Sequence, residues 1–305
     1  MQKIIIHEVG PRDGLQVEKQ TVPLEEKIRW IESLLESGVD IIQLGSFVNP
    51  AKVPQMADAD ALFRYFAKNK PSNVILSGLV LNEKGLERGF ACGVDLFCMG
   101  VSASETHSRK NSGMSTTEAL ERIVPMAKQT LGAGKKVQAS VQSAFGCGFE
   151  GPVDQEMVLR IVNNYLEAGI SNISLADTAG HAQPLQVEGL YGAIRALDSE
   201  VQLACHFHNT YGLGLANCYA ALKSGVTYFE SAFGGLGGCP FTKVPAGNVC
   251  TEDLVHSLQR MGLRQDIKLD SLLNIAWQVS SFFGRELPGF ILKSGSIVDF
   301  KRQTI

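Results

Sequence analysis

SGVDIIQLG, residues 37–45, joins two kinds of pattern. Before it lies PLEEKIRWIESLLES (23–37), whose apolar residues recur at helical spacing behind a proline and two acids. After Gly38 come a β-branched residue and a short apolar run, the signature of a buried strand. A glycine at such a joint takes the left-handed conformation that ends a helix. The same grammar returns at CGVDLFCMG (92–100), AGISNISLA (168–176) and SGVTYFESA (224–232). One joint says little, but four of them mark a repeating helix-then-strand unit.

Outward from these joints, KIIIHEVG (3–10) reads as a first strand and GVDIIQLGSF (38–47) as a second. Further strands are expected near 73–79, 95–102, 137–145, 172–177, 201–208 and 227–233. About eight such units within roughly 250 residues predict an α/β fold, a closed (β/α)8 TIM barrel. An open dinucleotide-binding sheet is disfavoured, since no GxGxxG follows the first strand. SLLNIAWQVSSFFG (271–284) predicts extra C-terminal helices, packed on the barrel or on a partner. With no Pro/Gly/Ser-rich linker, residues 1–305 are expected to form a single catalytic domain, with the barrel over about 1–262 and a C-terminal helical region over about 263–305.

The bulk numbers narrow the function. The chain has 305 residues, 45% hydrophobic and 19% charged, with a net charge of −3. Its pI of 6.1, without a basic run, speaks against nucleic acid as a partner. No stretch approaches the roughly 20 apolar residues of a membrane span. The N-terminus enters strand-like sequence without a signal-peptide pattern, so a cytoplasmic location is expected. The seven cysteines form no CxxC pair and are expected to be reduced.

In a TIM barrel the chemistry sits at the carboxyl ends of the strands. Strand 1 ends in EVGPRDGLQ (8–16), where a glycine- and proline-containing turn can aim Arg12 and Asp13 inward; a solvated turn pair is the alternative. Strand 7 carries His206 and His208 in ACHFHNTYG (204–212). Alternate residues of a strand share a face, roughly 7 Å apart, so both imidazoles can meet one object; two separately satisfied histidines are the alternative. GLGGCPFTKVPAGN (235–248) follows strand 8. Because barrel closure makes strands 8 and 1 neighbours, Asp13, His206, His208 and Asn248 can reach one ion, although Asn248 could equally cap the next helix. Two imidazoles, a carboxylate and an amide oxygen suit Mg2+ or Mn2+ better than a thiolate-rich zinc site. Cys239, inside a glycine-rich loop, reads as a proton-transferring thiol or as a passive small residue.

These segments, with SFVNP (46–50), VPQMAD (53–58), SASE (102–105), GCGFEG (146–151), SLADTAG (174–180) and TEDLV (251–255), resemble the HMG-CoA lyase branch of the metal-dependent TIM-barrel lyases and acyl-CoA synthases. The resemblance runs through most of the chain in order, and GGCPF (237–241) leans it toward the lyases. It implies Asp13, His206, His208 and Asn248 as ligands of a divalent cation and an acyl-CoA as substrate. Arg12 would stabilise an enolate or carbonyl oxygen, Cys239 would protonate the acetyl-CoA carbanion equivalent, and Asp177 would line the site beneath the metal. The implied reaction is retro-Claisen cleavage of HMG-CoA or a related 3-hydroxyacyl-CoA to acetyl-CoA and a keto acid. A homodimer is the expected assembly.

Two positions depart from the pattern. Gln43 stands where the family usually has a glutamate, and Asn209 where lyases commonly have an aspartate. A neutral amide beside Arg12 keeps hydrogen bonding but supplies no charge. Cleavage of a related substrate, or slow cleavage of HMG-CoA, is therefore expected. A condensing synthase of the same superfamily and a non-catalytic barrel that binds metal or acyl-CoA are the competing readings.

Overall fold

The joint glycines behave as their position predicts. In the computed structural model, which describes residues 3–238 and 247–297, Gly38, Gly93, Gly169 and Gly225 lie at φ of 96°, 77°, 79° and 81°. These are left-handed values that a side chain would strain. The aspartate in two of these joints adds a lock. Asp40 accepts from the Ile6 N–H at 2.9 Å and Asp95 from the Leu76 N–H at 2.9 Å, tying each strand's entry to its neighbour.

Eight parallel strands close into a barrel in sequence order. They are β1 (Ile5–Glu8), β2 (Ile41–Ser46), β3 (Ile75–Leu79), β4 (Leu96–Ser102), β5 (Lys136–Gln142), β6 (Asn172–Asp177), β7 (Gln202–Phe207) and β8 (Tyr228–Ser231). Around them run α1 (Leu24–Ser37), α2 (Ala59–Asn69), α3 (Glu83–Ala91), α4 (Glu105–Ser112), α5 (Thr116–Gly132), α6 (Gln155–Glu167), α7 (Pro184–Leu197), α8 (Gly214–Lys223) and α9 (Thr251–Arg260). α10 (Leu269–Phe283) and α11 (Ile291–Ser294) follow. α10 packs on α1, where Trp30 meets Phe282 edge-on at 5.5 Å. Among the described residues, no helix is long and apolar enough to cross a membrane.

The barrel interior is graded. Ile5, Ile41, Ile75, Leu96 and Cys98 make a small apolar cluster near the amino ends of their strands. Two residues further along, on the same inward face, stand His7, Gln43 and Ser77, and at the same depth Gln138, Ser174 and Glu230, all buried. TIM barrels usually fill such layers with branched aliphatic side chains. A buried polar layer is costly unless paired, so this one marks the floor of a site.

Two local features go beyond or against the sequence reading. Within SASETHSRKNSG (102–113) α4 starts, with the Ser104 hydroxyl accepting from the His107 N–H at 3.1 Å. Its Ser, Thr and Asn content hides the helix, because those residues favour caps and turns over helix interiors. Strand 5 stops at Gln142 instead of running to 145, because Ser143 turns to a φ of 55°.

Candidate active site

Directly after β1, the Val9 carbonyl accepts from three successive N–H groups, those of Arg12, Asp13 and Gly14, at 3.1, 2.7 and 3.3 Å. This wide turn carries Arg12 and Asp13 over the barrel mouth. The Arg12 guanidinium donates from Nε to Gln43 Oε1 and from a terminal nitrogen to Asp13 Oδ1. Gln16, from the following turn, donates to the same Asp13 oxygen at 3.3 Å. With Arg12 buried and Asp13 largely so, the turn pair is committed inward.

His206 and His208 share the inward face of the β7 end. Their Nε2 atoms lie 3.1 Å apart, with Asp13 Oδ2 3.8 Å from the first and 4.0 Å from the second. One ligand atom from each of the three residues fits within a 4.8 Å cluster. Asn248 completes the group from the far side of the chain. Its Nδ2 donates to Asp13 Oδ2 at 2.8 Å and to the Leu236 carbonyl at 3.0 Å. It does not cap α9, whose N-cap is Cys250 without a side-chain bond. Gly237 explains part of the glycine-rich sequence: a Cβ there would sit 2.6 Å from Asn248 Nδ2, at a φ of 101°.

Electrostatics agree with this geometry. Burial pushes the Asp13 carboxyl up, but the Arg12, His206 and His208 charges and the Asn248 hydrogen bond outweigh it, holding the group well below the carboxylate range. Burial, then the charge of His206, lowers His208 to about 4, so it is neutral at pH 7. Burial also acts downward on His206. There the hydrogen bond to Glu230 and the charges of Asp13 and Glu230 prevail, and its pKa is raised.

The donor set fits a divalent cation. Asn248 Oδ1 is buried with no hydrogen-bond partner, beside an ionised carboxylate and two imidazole nitrogens that converge without a side chain between them. Oxygen and imidazole donors of this kind suit hard or borderline ions.

Other candidates fall elsewhere. Asp177, at the β6 end, spends its carboxylate on the His181 and Ala182 N–H groups at 2.8 and 3.1 Å. It braces the turn after β6 rather than joining the ligand cluster, and burial pushes it up to about 7. The Asn209 amide oxygen turns away to accept from the Gly214 N–H at 3.0 Å, so an aspartate at 209 is not needed near Asp13. Cys239 lies outside the described residues. Glu230, passed over in the sequence, sits inside the barrel beside His206; its only sequence signal is a lone acid within the strand run TYFESA.

Comparison with known proteins matches this picture. A hydroxymethylglutaryl-CoA lyase of Bacillus subtilis is 40% identical over 94% of this chain and 95% of its own length. An (R)-citramalyl-CoA lyase of Chloroflexus aurantiacus is 35% identical over 97% and 96%. The structure of an HMG-CoA lyase from Acinetobacter baumannii in complex with coenzyme A and 3-methylmalate superposes with a TM-score of 0.92, at 37% identity, covering 97% of this chain and 96% of that one. The family model described as HMGL-like matches residues 3–279, nearly the whole described chain including both histidines and Asn248, and on this ground the protein belongs to the HMGL-like family.

Proposed function

We propose that this protein is a divalent-metal-dependent carbon–carbon lyase that cleaves HMG-CoA or a related 3-hydroxyacyl-CoA to acetyl-CoA and a keto acid. The observation that carries this reading is the meeting of Asp13, His206, His208 and Asn248 at one point, with the Arg12 guanidinium alongside. A cation held by those four side chains would supply Lewis acidity toward the oxygens of the substrate.

The chain's own residues account for the rest. The tertiary hydroxyl must lose its proton as the C2–C3 bond breaks. Asp13 and His206, both at the candidate cation site, are the groups at hand to take it. The bonding pair of C2–C3 passes to the thioester, and Arg12, permanently charged, offsets the negative charge that develops there. A proton delivered to that carbon then gives the acetyl group, the role proposed for Cys239. Gln43 orients Arg12 without adding charge. Mg2+ or Mn2+ is the proposed ion.

The test is a coupled assay for acetyl-CoA with purified protein, Mg2+, and HMG-CoA or citramalyl-CoA in parallel. Cleavage of at least one, abolished by chelation, is expected. Turnover of HMG-CoA within about 1 to 1000 per second would make it an ordinary substrate and remove the case for a related one. No acetyl-CoA from either thioester would favour a non-catalytic barrel. A cytoplasmic homodimer belongs to the same proposal, supported by the half-exposed Trp277 on α10; light scattering that gives a monomer would retire the dimer.

A further inference from the structure

We infer that Glu230 is a positioning residue that fixes His206 with its proton on Nδ1, so that the Nε2 lone pair faces the site. The inference rests on the metal-site reading above and concerns a residue outside the cluster of ligand atoms. His206 and Glu230 are register partners on adjacent strands, β7 and β8, and both side chains enter the barrel at the same depth. The Glu230 Oε2 atom lies 3.0 Å from His206 Nδ1, and its Oε1 accepts from the Ser174 hydroxyl at 2.8 Å. Both carboxylate oxygens are thereby committed, one of them to the back of the imidazole.

A buried carboxylate is expensive to leave unpaired, and each hydrogen bond to it is correspondingly strong. An imidazole in its neutral form carries one proton. With an acceptor-only group at Nδ1, that proton belongs there, and Nε2 is left as a lone-pair donor toward Asp13 and His208. Ser174 in turn holds the carboxylate in the plane it needs. The other histidine at this depth, His7, is bonded through Nε2 to the Ser77 hydroxyl at 2.7 Å. Among the described histidines, the Glu230 carboxylate is hydrogen-bonded to His206.

The experiment measures Mn2+ binding by calorimetry on the metal-stripped full chain, together with nitrogen NMR of histidine-labelled, Mg2+-loaded protein. Glu230→Gln should weaken Mn2+ binding about 10- to 100-fold while the melting temperature of the metal-free protein stays near that of the wild type. The wild-type spectrum should show His206 protonated at Nδ1 and not at Nε2. A folded Glu230→Gln protein that binds Mn2+ within twofold of the wild type would overturn the assignment. So would a proton found on Nε2. Should Glu230→Gln fail to fold, Ser174→Ala, which removes one support of the carboxylate, is expected to weaken Mn2+ binding several-fold, and the wild-type spectrum still decides. Wild-type protein that binds no Mn2+ would overturn the metal site itself, and this assignment with it.

Discussion

Arg12 meets two different acceptors, a neutral amide at Gln43 and a carboxylate at Asp13. Its fork geometry allows both at once, which a lysine ammonium on its flexible stem does not reproduce. Arg12→Lys should therefore lower kcat about 10²- to 10³-fold, the usual scale for losing one donor aimed at developing negative charge. Steady-state kinetics that leave kcat intact would remove Arg12 from the chemistry. Gln43→Glu asks the complementary question. A carboxylate at this buried position would add a charge beside the guanidinium, and we expect at least a tenfold gain in kcat on HMG-CoA, about 1.4 kcal/mol of barrier. An unchanged rate would show that position 43 does not set the activity. At this scale the sequence was informative wherever spacing alone aims a side chain, as with His206 and His208 on one strand face. It was silent on where a polar group turns when several acceptors or donors compete. Asp177 and Asn209 both serve backbone N–H groups of nearby turns, and Glu230 hides as one acid within an apolar run.

Strand β1 is tied to the segment after β8 by Glu8, whose Oε1 accepts from the Gly10 and Phe233 N–H groups at 2.6 and 3.0 Å. Its Oε2 lies 2.6 Å from the Thr251 hydroxyl, which is itself 2.8 Å from that of Ser231. Burial raises the Glu8 pKa from 4.5 to about 8, against the Thr251 hydrogen bond, and the nearby Glu252 carboxylate adds to the rise. A raised folded pKa means that the native protein keeps a proton that the unfolded chain has already lost. Between about pH 4.5 and 8 unfolding therefore releases a proton, and stability falls as pH rises through that window. Glu8→Gln keeps the acceptor for both N–H groups and cannot ionise. Its melting temperature should fall less between pH 5 and 8 than that of the wild type, by a few degrees in a melting series. Glu252 and Asp177, each pushed up to about 7 by burial, contribute to the slope that remains. Identical profiles would show that Glu8 does not titrate in this range. The elements themselves were readable from the joints, and β6 spans the predicted 172–177. α4 was not readable, because its helix depends on the Ser104 cap and on packing rather than on propensity.

Across the whole molecule, the site is also the seam of the barrel. Asp13 follows β1 and Asn248 lies beyond β8, 235 residues apart in sequence, yet their side chains are hydrogen-bonded. The count of helix–strand units foretold closure, and closure alone brings these two chain regions together. What no pattern conveyed was how tightly the seam is held, since that rests on Glu8, Thr251 and Asn248 meeting in three dimensions. A cation shared by Asp13, Asn248 and the β7 histidines would bind the native barrel and not the unfolded chain, in which its ligands are dispersed. Such binding stabilises by about 2.7 kcal/mol at a metal concentration 100 times Kd. Melting of the metal-stripped protein should therefore shift upward by several degrees on adding saturating Mn2+ or Mg2+, with half-saturation tracking the calorimetric affinity. His208→Ala removes one ligand and no part of the Glu8 clamp, so it should melt independently of metal. The shift, rather than the absolute melting temperature, is the readout, because any core truncation lowers the latter. Equal shifts in wild type and His208→Ala would place the bound ion somewhere other than this seam.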